Sequence, residues 1–346
     1  MIVLLLFAVL TLTACTKPDR SEEAKKLRCE LRDLMFKNPE QVLVRIDSAE
    51  QVGLFSPATA NVIRANVYGQ MGQTRLAIYY GEQILNDPEL KREGRTYYSS
   101  LIWLNSLLEK NGEYGKVLRL TDDIIADVEN NREASGISEQ VAMRVKSHAL
   151  TFKGECEKNL GHLDKAEHFY LEGIKLMMDS VVHPSDYWVI DALVYGVLET
   201  TEFYLEQGMP EKALALVTTG DTALARLDRC PDVPESASKI RHNNIVISQA
   251  IVYASNVRSS ERHSSSLEDG RVVTDEDVVN GQRDRGEALY QRHRQAEGLT
   301  STDIAAEARY LALTDRYDEA IRLFRRPTPS IWPRAVPSPA ATSTTL

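Results

Sequence analysis

The sequence predicts an all-α protein, an array of about seven helix pairs wound as a right-handed solenoid. Three observations predict it. Apolar residues recur at helical spacing from Ser21 to Arg325, with almost no strand alternation. Breaks at Gly72, Gly112, Gly161 and Gly208 each fall between two apolar helical stretches. Around those glycines a short phrase repeats.

The elements follow in order. Residues Ile2 to Thr13 are almost wholly apolar, but a membrane span needs about 20 such residues. The stretch has the length of a signal-peptide core instead, although no Lys or Arg precedes it. It ends in Leu12-Thr13-Ala14-Cys15, which resembles a bacterial lipobox. That resemblance implies cleavage before Cys15 and lipidation of its thiol. Residues 1–15 are therefore expected to be a lipoprotein leader, and the chain to be lipid-anchored in the bacterial cell envelope, at the periplasmic face or outer membrane.

A first helix pair is expected within residues 16–56, as Ser21–Lys37 and Pro39–Val52. Asn38-Pro39-Glu40 supplies a cap, a proline at the first helical position and an acid in the first turn. Asp87-Pro88-Glu89 and Pro184-Ser185-Asp186 punctuate in the same way. Apolar faces are Leu76, Ala77, Tyr80 and Ile84, then Val117, Leu120, Ile124 and Val128, then Leu163, Ala166, Tyr170, Ile174 and Met177.

The repeated phrase places alanine five residues after glycine: Gly72 with Ala77, Gly161 with Ala166, Gly208 with Ala213. Gly112 with Val117 is a degenerate copy, and a late copy ending in Ala320 has Asp315 in place of the glycine. Seven residues before the turn stand Ala65, Asn105, Gly154, Thr201 and Ala308. Four before it stand Tyr68, Leu108, Tyr204 and Leu311, with Glu157 as the exception. An aromatic nine after it appears as Tyr170, and one place early as Tyr80. Small residues let two helix axes approach, and glycine takes the left-handed turn conformation. This pattern resembles the tetratricopeptide repeat (TPR) family. The resemblance implies stacked two-helix units over residues 57–326 and core-packing roles for the signature residues. The turn-to-turn spacings of 40, 49 and 47 residues exceed the usual figure of about 34. From Gly208 to Asp315 the gap of 107 residues suits two units, with a turn expected near residue 260. Helices are expected at Pro234–Ser255 and Gln282–Glu297. Asn256–Gly281 is charged, Ser-rich and aperiodic, and reads as a disordered insertion.

Residues 327–346 hold five prolines and seven Ser or Thr, and read as a disordered tail or as the trace of a truncation or shifted frame. Signal-bearing TPR regions of this kind resemble the sensory part of certain bacterial TPR-containing histidine kinases, which opens a role in two-component signalling.

Composition narrows the function. Lys and Arg total 41 against 50 Asp and Glu, giving a net charge of −9, which disfavours a nucleic-acid partner. Four cysteines make no disulfide framework and no zinc pair. Cys29 and Cys156 fall in helical pattern and are expected to be buried structural thiols. The seven histidines form no HExxH motif and are expected at the surface or in the groove; phosphate-loop, dinucleotide and GxSxG motifs are absent. No cofactor, no metal and no enzymatic activity are expected. In a TPR array the first helix of each pair lines the concave side. Repeat register then nominates Asn66 and Gln70; Trp103, Ser106 and Lys110; His148, Thr151, Glu155 and Asn159; and Tyr195, Glu199 and Glu202 as groove residues. Arg283, Arg285, Arg292 and Arg294 read as an exposed charged helix. The expected partner is a protein or peptide of the cell envelope, docked on the concave face by a sensor or scaffold. The alternative is an outer-membrane nutrient-binding lipoprotein that holds a glycan.

Overall fold

The computed structural model describes residues 21–35, 38–85, 87–132, 135–180, 187–230, 235–265, 276–295 and 301–325. Cys15, the leader, the 327–346 tail and the Pro184-Ser185-Asp186 punctuation lie outside them. Among the described residues every regular element is a helix, as the periodicity predicts. The chain divides into two compact units, Met1–Leu90 and Lys91–Leu346.

The first unit holds α1 (Ser21–Met35), α2 (Pro39–Gln51), α3 (Pro57–Gln70) and α4 (Thr74–Glu82), each packed on the next. Asn38 caps α2 as expected, its Oδ1 accepting from Gln41 N–H at 3.0 Å. Ser56 caps α3 in the same way. The core is Leu31, Val42, Ile46, Ala49, Phe55, Ala60 and Val67. In α4 the buried stripe is Ala77, Ile78 and Gly81. Leu76, expected on that stripe, is 42% exposed. Cys29 is also exposed. Its position on α1 is helical, but it lies off the face that carries Leu31 inward.

A short helix, α5 (Pro88–Arg92), spans the boundary, started by Asp87, whose carboxylate accepts from Glu89 and Leu90 N–H. The second unit then runs α6 (Gly94–Lys110), α7 (Tyr114–Asn131), α8 (Glu139–Asn159), α9 (Leu163–Ser180), α10 (Tyr187–Glu206), α11 (Pro210–Ala215), α12 (Val217–Asp228), α13 (Glu235–Ser265), α14 (Glu276–Arg294), α15 (Ser301–Leu313) and α16 (Tyr317–Arg325). With α11 and α12 counted as one broken helix, this gives two pairs in the first unit and five in the second. Within the second unit each first helix packs on its own partner and on the next first helix: α6 on α8, α8 on α10, α10 on α13, α13 on α15. That arrangement is a solenoid of stacked pairs.

The turns explain the pairing. Gly72, Gly112, Gly161 and Gly208 all have positive φ, and so does Asp315, at 60°. The aspartate in the late copy therefore does the glycine's job, since aspartate tolerates the left-handed region better than most residues. In all five turns the next backbone N–H donates to the carbonyl five residues back: Gln73 to Tyr68, Glu113 to Leu108, His162 to Glu157, Met209 to Tyr204 and Arg316 to Leu311. This is the hydrogen bond that closes a left-handed helix terminus. Gly53 makes a sixth turn of the same kind, with Leu54 N–H on Ala49 O. After each turn the small residue is buried: Ala77, Ala166 and Ala213 have no exposed surface.

A further expectation fails. No turn falls near residue 260, because α13 runs to Ser265, ten residues into the stretch read as a disordered insertion. Two contacts hold it there. Val257 is buried, and the Arg258 guanidinium donates to the Ala312 carbonyl at 3.0 Å and to Tyr317 Oη at 3.1 Å. The stretch reads as a loop because it is rich in Ser and charge, while the helix that carries it packs against α10 to α12 and against α14 and α15. Residues 266–275 lie outside the described residues.

Candidate functional site

The first helices of the second unit carry most of the nominated groove residues, and α6, α8 and α10 bring them together. From α6 come Trp103, Ser106 and Lys110, the first two half-buried and the third exposed. From α8 come His148, Glu155 and Asn159, and from α10 come Tyr195, Glu199 and Glu202. Asn66 and Gln70 belong to the first unit. There Asn66 Nδ2 donates to Val62 O at 2.8 Å within its own helix, and Gln70 is exposed. Thr151 is 1% exposed, and its hydroxyl donates to Ser147 O at 3.0 Å. It packs toward Gly173 and Gly196, where helices cross, and offers no surface to a ligand.

The centre of this face is aromatic. The Tyr195 ring lies 5.3 Å from the His148 ring and 6.4 Å from Phe152. His148 is 8% exposed, and its Nε2 has no hydrogen-bond partner. Burial, with the nearby Arg144 and Arg241 charges, lowers its pKa to about 3, so the ring is neutral. His148 and His293 are thus interior histidines, against the expectation of surface or groove positions. His162, His168 and His242 instead meet Glu157, Glu172 and Asp228.

Charges of both signs act on the aromatic centre. Arg144 and Arg241 act on His148, and Arg241 Nε pairs with Asp191 Oδ1 at 2.5 Å. Carboxyl groups act on Tyr195: burial first, then Glu199, Glu155 and Glu109, push its phenol far above the ordinary range. Two groups hold Glu155: Tyr170 Oη donates to its Oε1, and Lys158 Nζ lies 2.9 Å from its Oε2. Burial, and then the Glu155 charge, push the Glu199 carboxyl up to about 8. Lys158 also reaches Glu206 at 3.3 Å. Glu202 is held by Arg309 Nη1 at 2.6 Å.

Sequence reasoning missed several of these. Lys158 and Glu109 sit on the same helices as nominated residues and could have been found by helical spacing. Arg241 and Arg309 come from helices 50 and 107 residues beyond their partners, and no local pattern marks them. Tyr170 was read as core. It is buried, yet its hydroxyl emerges on the carboxylate side. Among the described residues no group of three or more His, Cys, Asp or Glu could hold a metal ion. Cys156 is buried as expected, with its thiol pushed up to about 12 by burial and neighbouring glutamates. Among the described residues no helix is long and apolar enough to cross a membrane.

Fold and site together describe a helix-pair repeat protein whose first helices carry an aromatic cluster among charged groups. No family model matches the chain, and no curated protein matches it in sequence. Two solved structures are similar to it. BtubC from P. vanneervenii is 15% identical with a TM-score of 0.42, over 79% of this chain and 97% of that one. A TPR-repeat protein from Bacteroides fragilis is 10% identical with a TM-score of 0.24, over 77% of this chain and 95% of that one. At these values the fold rests on the helix pairs and their turns.

Proposed function

We propose that this chain is a non-catalytic binding scaffold that docks a protein or peptide segment on the first-helix face of its second unit. The observation that carries the reading is the aromatic cluster of His148, Phe152 and Tyr195, with ring centroids 5.3 and 6.4 Å from Tyr195. Charges of both signs act on it: Glu109, Glu155, Glu199 and Arg241 on Tyr195, and Arg144 and Arg241 on His148. An aromatic centre among charged groups suits a segment that buries one apolar side chain and is oriented by its own charges.

The chain's place is part of the same proposal. Leu12-Thr13-Ala14-Cys15 supports a lipid-anchored protein of the bacterial envelope, acting as a sensor or an assembly scaffold. Palmitate labelling of cells expressing wild type and Cys15→Ser tests the anchor, with label expected on the wild type alone.

Docking is tested by photo-crosslinking. A crosslinking amino acid at exposed Asn159 or Lys110 is expected to capture a discrete partner from intact envelopes. The same group at exposed Glu172, on second helix α9, is the control. Equal capture from both faces would refute the assignment of the site.

A further inference from the structure

We propose that Glu202 and Arg309 form a latch that bends the first-helix side of the second unit over α13, and that the array straightens there when the latch opens. The latch decides whether α13 and α15 can join the docking face, and in that respect it rests on the docking reading. The bend itself belongs to the free chain.

The pair is out of step with the stack. Glu202 lies on α10 and Arg309 on α15, 107 residues apart. Between them in the array stands α13, which packs on both. Packed helix axes lie about 8–10 Å apart, so two steps of a straight stack span about 16–20 Å. Side chains carry a helix only about 5–6 Å out from its axis. Those of α10 and α15 would therefore fall short of each other. Yet Arg309 Nη1 lies 2.5 Å from Glu202 Oε1 and 2.6 Å from Oε2. Two long side chains close part of the gap, and the helices that carry them lean together over α13 to close the rest.

Burial of α13 agrees. Gln249 to Ala254, six consecutive residues, are all buried. Six residues exceed one and a half helical turns, so α13 has no open side at that level. Leu205 of α10, three residues after Glu202, packs on the core that α13 shares with α14, α15 and α16. Thus α10 contributes one apolar contact and one ionic contact to this closed region.

The two contacts differ in how they give way. The Arg309 and Glu202 side chains are 35% and 43% exposed. An ion pair this open to water is weak, and salt screens it. The packing of α10 on α13 and of α13 on α15 rests instead on buried apolar residues, which do not depend on charge. Arg258 of α13 also keeps its hold on the Ala312 carbonyl of α15. Opening the latch therefore flexes these interfaces without parting them.

Pulsed electron resonance on the full chain tests this, with spin labels on a non-canonical amino acid at exposed Glu206 of α10 and exposed Ala305 of α15. No partner is present, so docking can fail while the latch stands, and the reverse. In wild type a short distance is expected to dominate at low salt. Raising salt from about 0.05 to about 0.5 M is expected to increase the longer-distance population roughly 1.5- to fivefold, the weight of a half-exposed ion pair. Arg309→Gln and Glu202→Gln are expected to show that longer population at both salt levels. Exchanging the charges, Glu202→Arg with Arg309→Glu, is expected to restore the short distance and its salt dependence. The latch is overturned if Arg309→Gln keeps the wild-type distance at low salt. It is equally overturned if the single variants lengthen the distance and the exchanged pair does not restore it.

Discussion

The crossings of α6 with α7 and of α8 with α9 are built on one phrase and end in opposite chemistry. Each pair turns at a positive-φ glycine with the same closing hydrogen bond. In each, the residue seven before the turn meets the residue nine after it. In the α8–α9 pair these are Gly154 and Tyr170. A Cβ added at Gly154 would lie 2.8 Å from the tyrosine ring, so the ring rests on the bare backbone. In the α6–α7 pair they are Asn105 and Thr121, fully buried, with Nδ2 donating to Oγ1 at 3.2 Å. The glycine makes room for a long side chain that passes through the crossing, and its hydroxyl reaches Glu155. The threonine stops inside. The pair at the crossing, glycine with tyrosine or asparagine with threonine, therefore sets whether that second-helix side chain stops inside or passes through.

The largest expected effect tests that difference directly. Tyr170→Ala empties a buried aromatic site and is expected to cost about 3–5 kcal/mol in urea unfolding. Thr121→Ala leaves the fully buried Asn105 amide without its acceptor and is expected to cost about 1–3 kcal/mol. Equal losses would mean that the two crossings carry the same load, and the comparison would break.

Next in size is the close approach itself. Gly154→Ala gains about 1 kcal/mol of helix propensity. Against this stands overpacking on a ring that is 1% exposed, at about 1–3 kcal/mol. Net destabilisation is expected, and a more stable variant would show that the axes have room to spare. Asn105→Ala runs the other way. It removes an amide whose Oδ1 is buried without a partner, while leaving Thr121 without its donor. The two changes oppose each other, and a net effect within about 1 kcal/mol is expected.

These contacts mark how far the sequence could be read. Turns, pairs and small slots were legible because each rests on residues close in the chain: a glycine, an alanine five on, a small residue seven back. Gly154 and Tyr170 stood out as signature positions for that reason. The face was half legible. Helical register placed His148, Glu155, Tyr195, Glu199 and Glu202 on first helices, but it could not say that Thr151 turns inward and bonds its own helix. Nor could it find Arg241 or Arg309, which arrive from distant helices through packing alone. The 256–265 segment was misread because serines and charges suggest a loop. What keeps it helical is the contact between Arg258 and the carbonyl end of α15.

The smallest expected effect compares the turn at Gly161 with the turn at Asp315. Both occupy the left-handed region, with φ of 82° and 60°, and both are closed by the same backbone hydrogen bond. A residue with a Cβ is strained there by about 1–2 kcal/mol, and less for aspartate, whose short polar side chain bonds locally. Asp315 does so, accepting from Tyr317 Oη at 2.9 Å, and lies 3.7 Å from Arg258. Its side chain is 77% exposed, so that ion pair contributes little. Asp315→Gly is therefore expected to stabilise the α15–α16 pair by about 0.5–1 kcal/mol, and Gly161→Asp to destabilise α8–α9 by a similar amount. Hydrogen exchange in 301–325 and in 139–180 reads the two locally. If Asp315→Gly instead loosened its pair, the aspartate's contacts with Tyr317 and Arg258 would outweigh its backbone strain, and the late turn would be a capped variant of the phrase and not a strained copy of it.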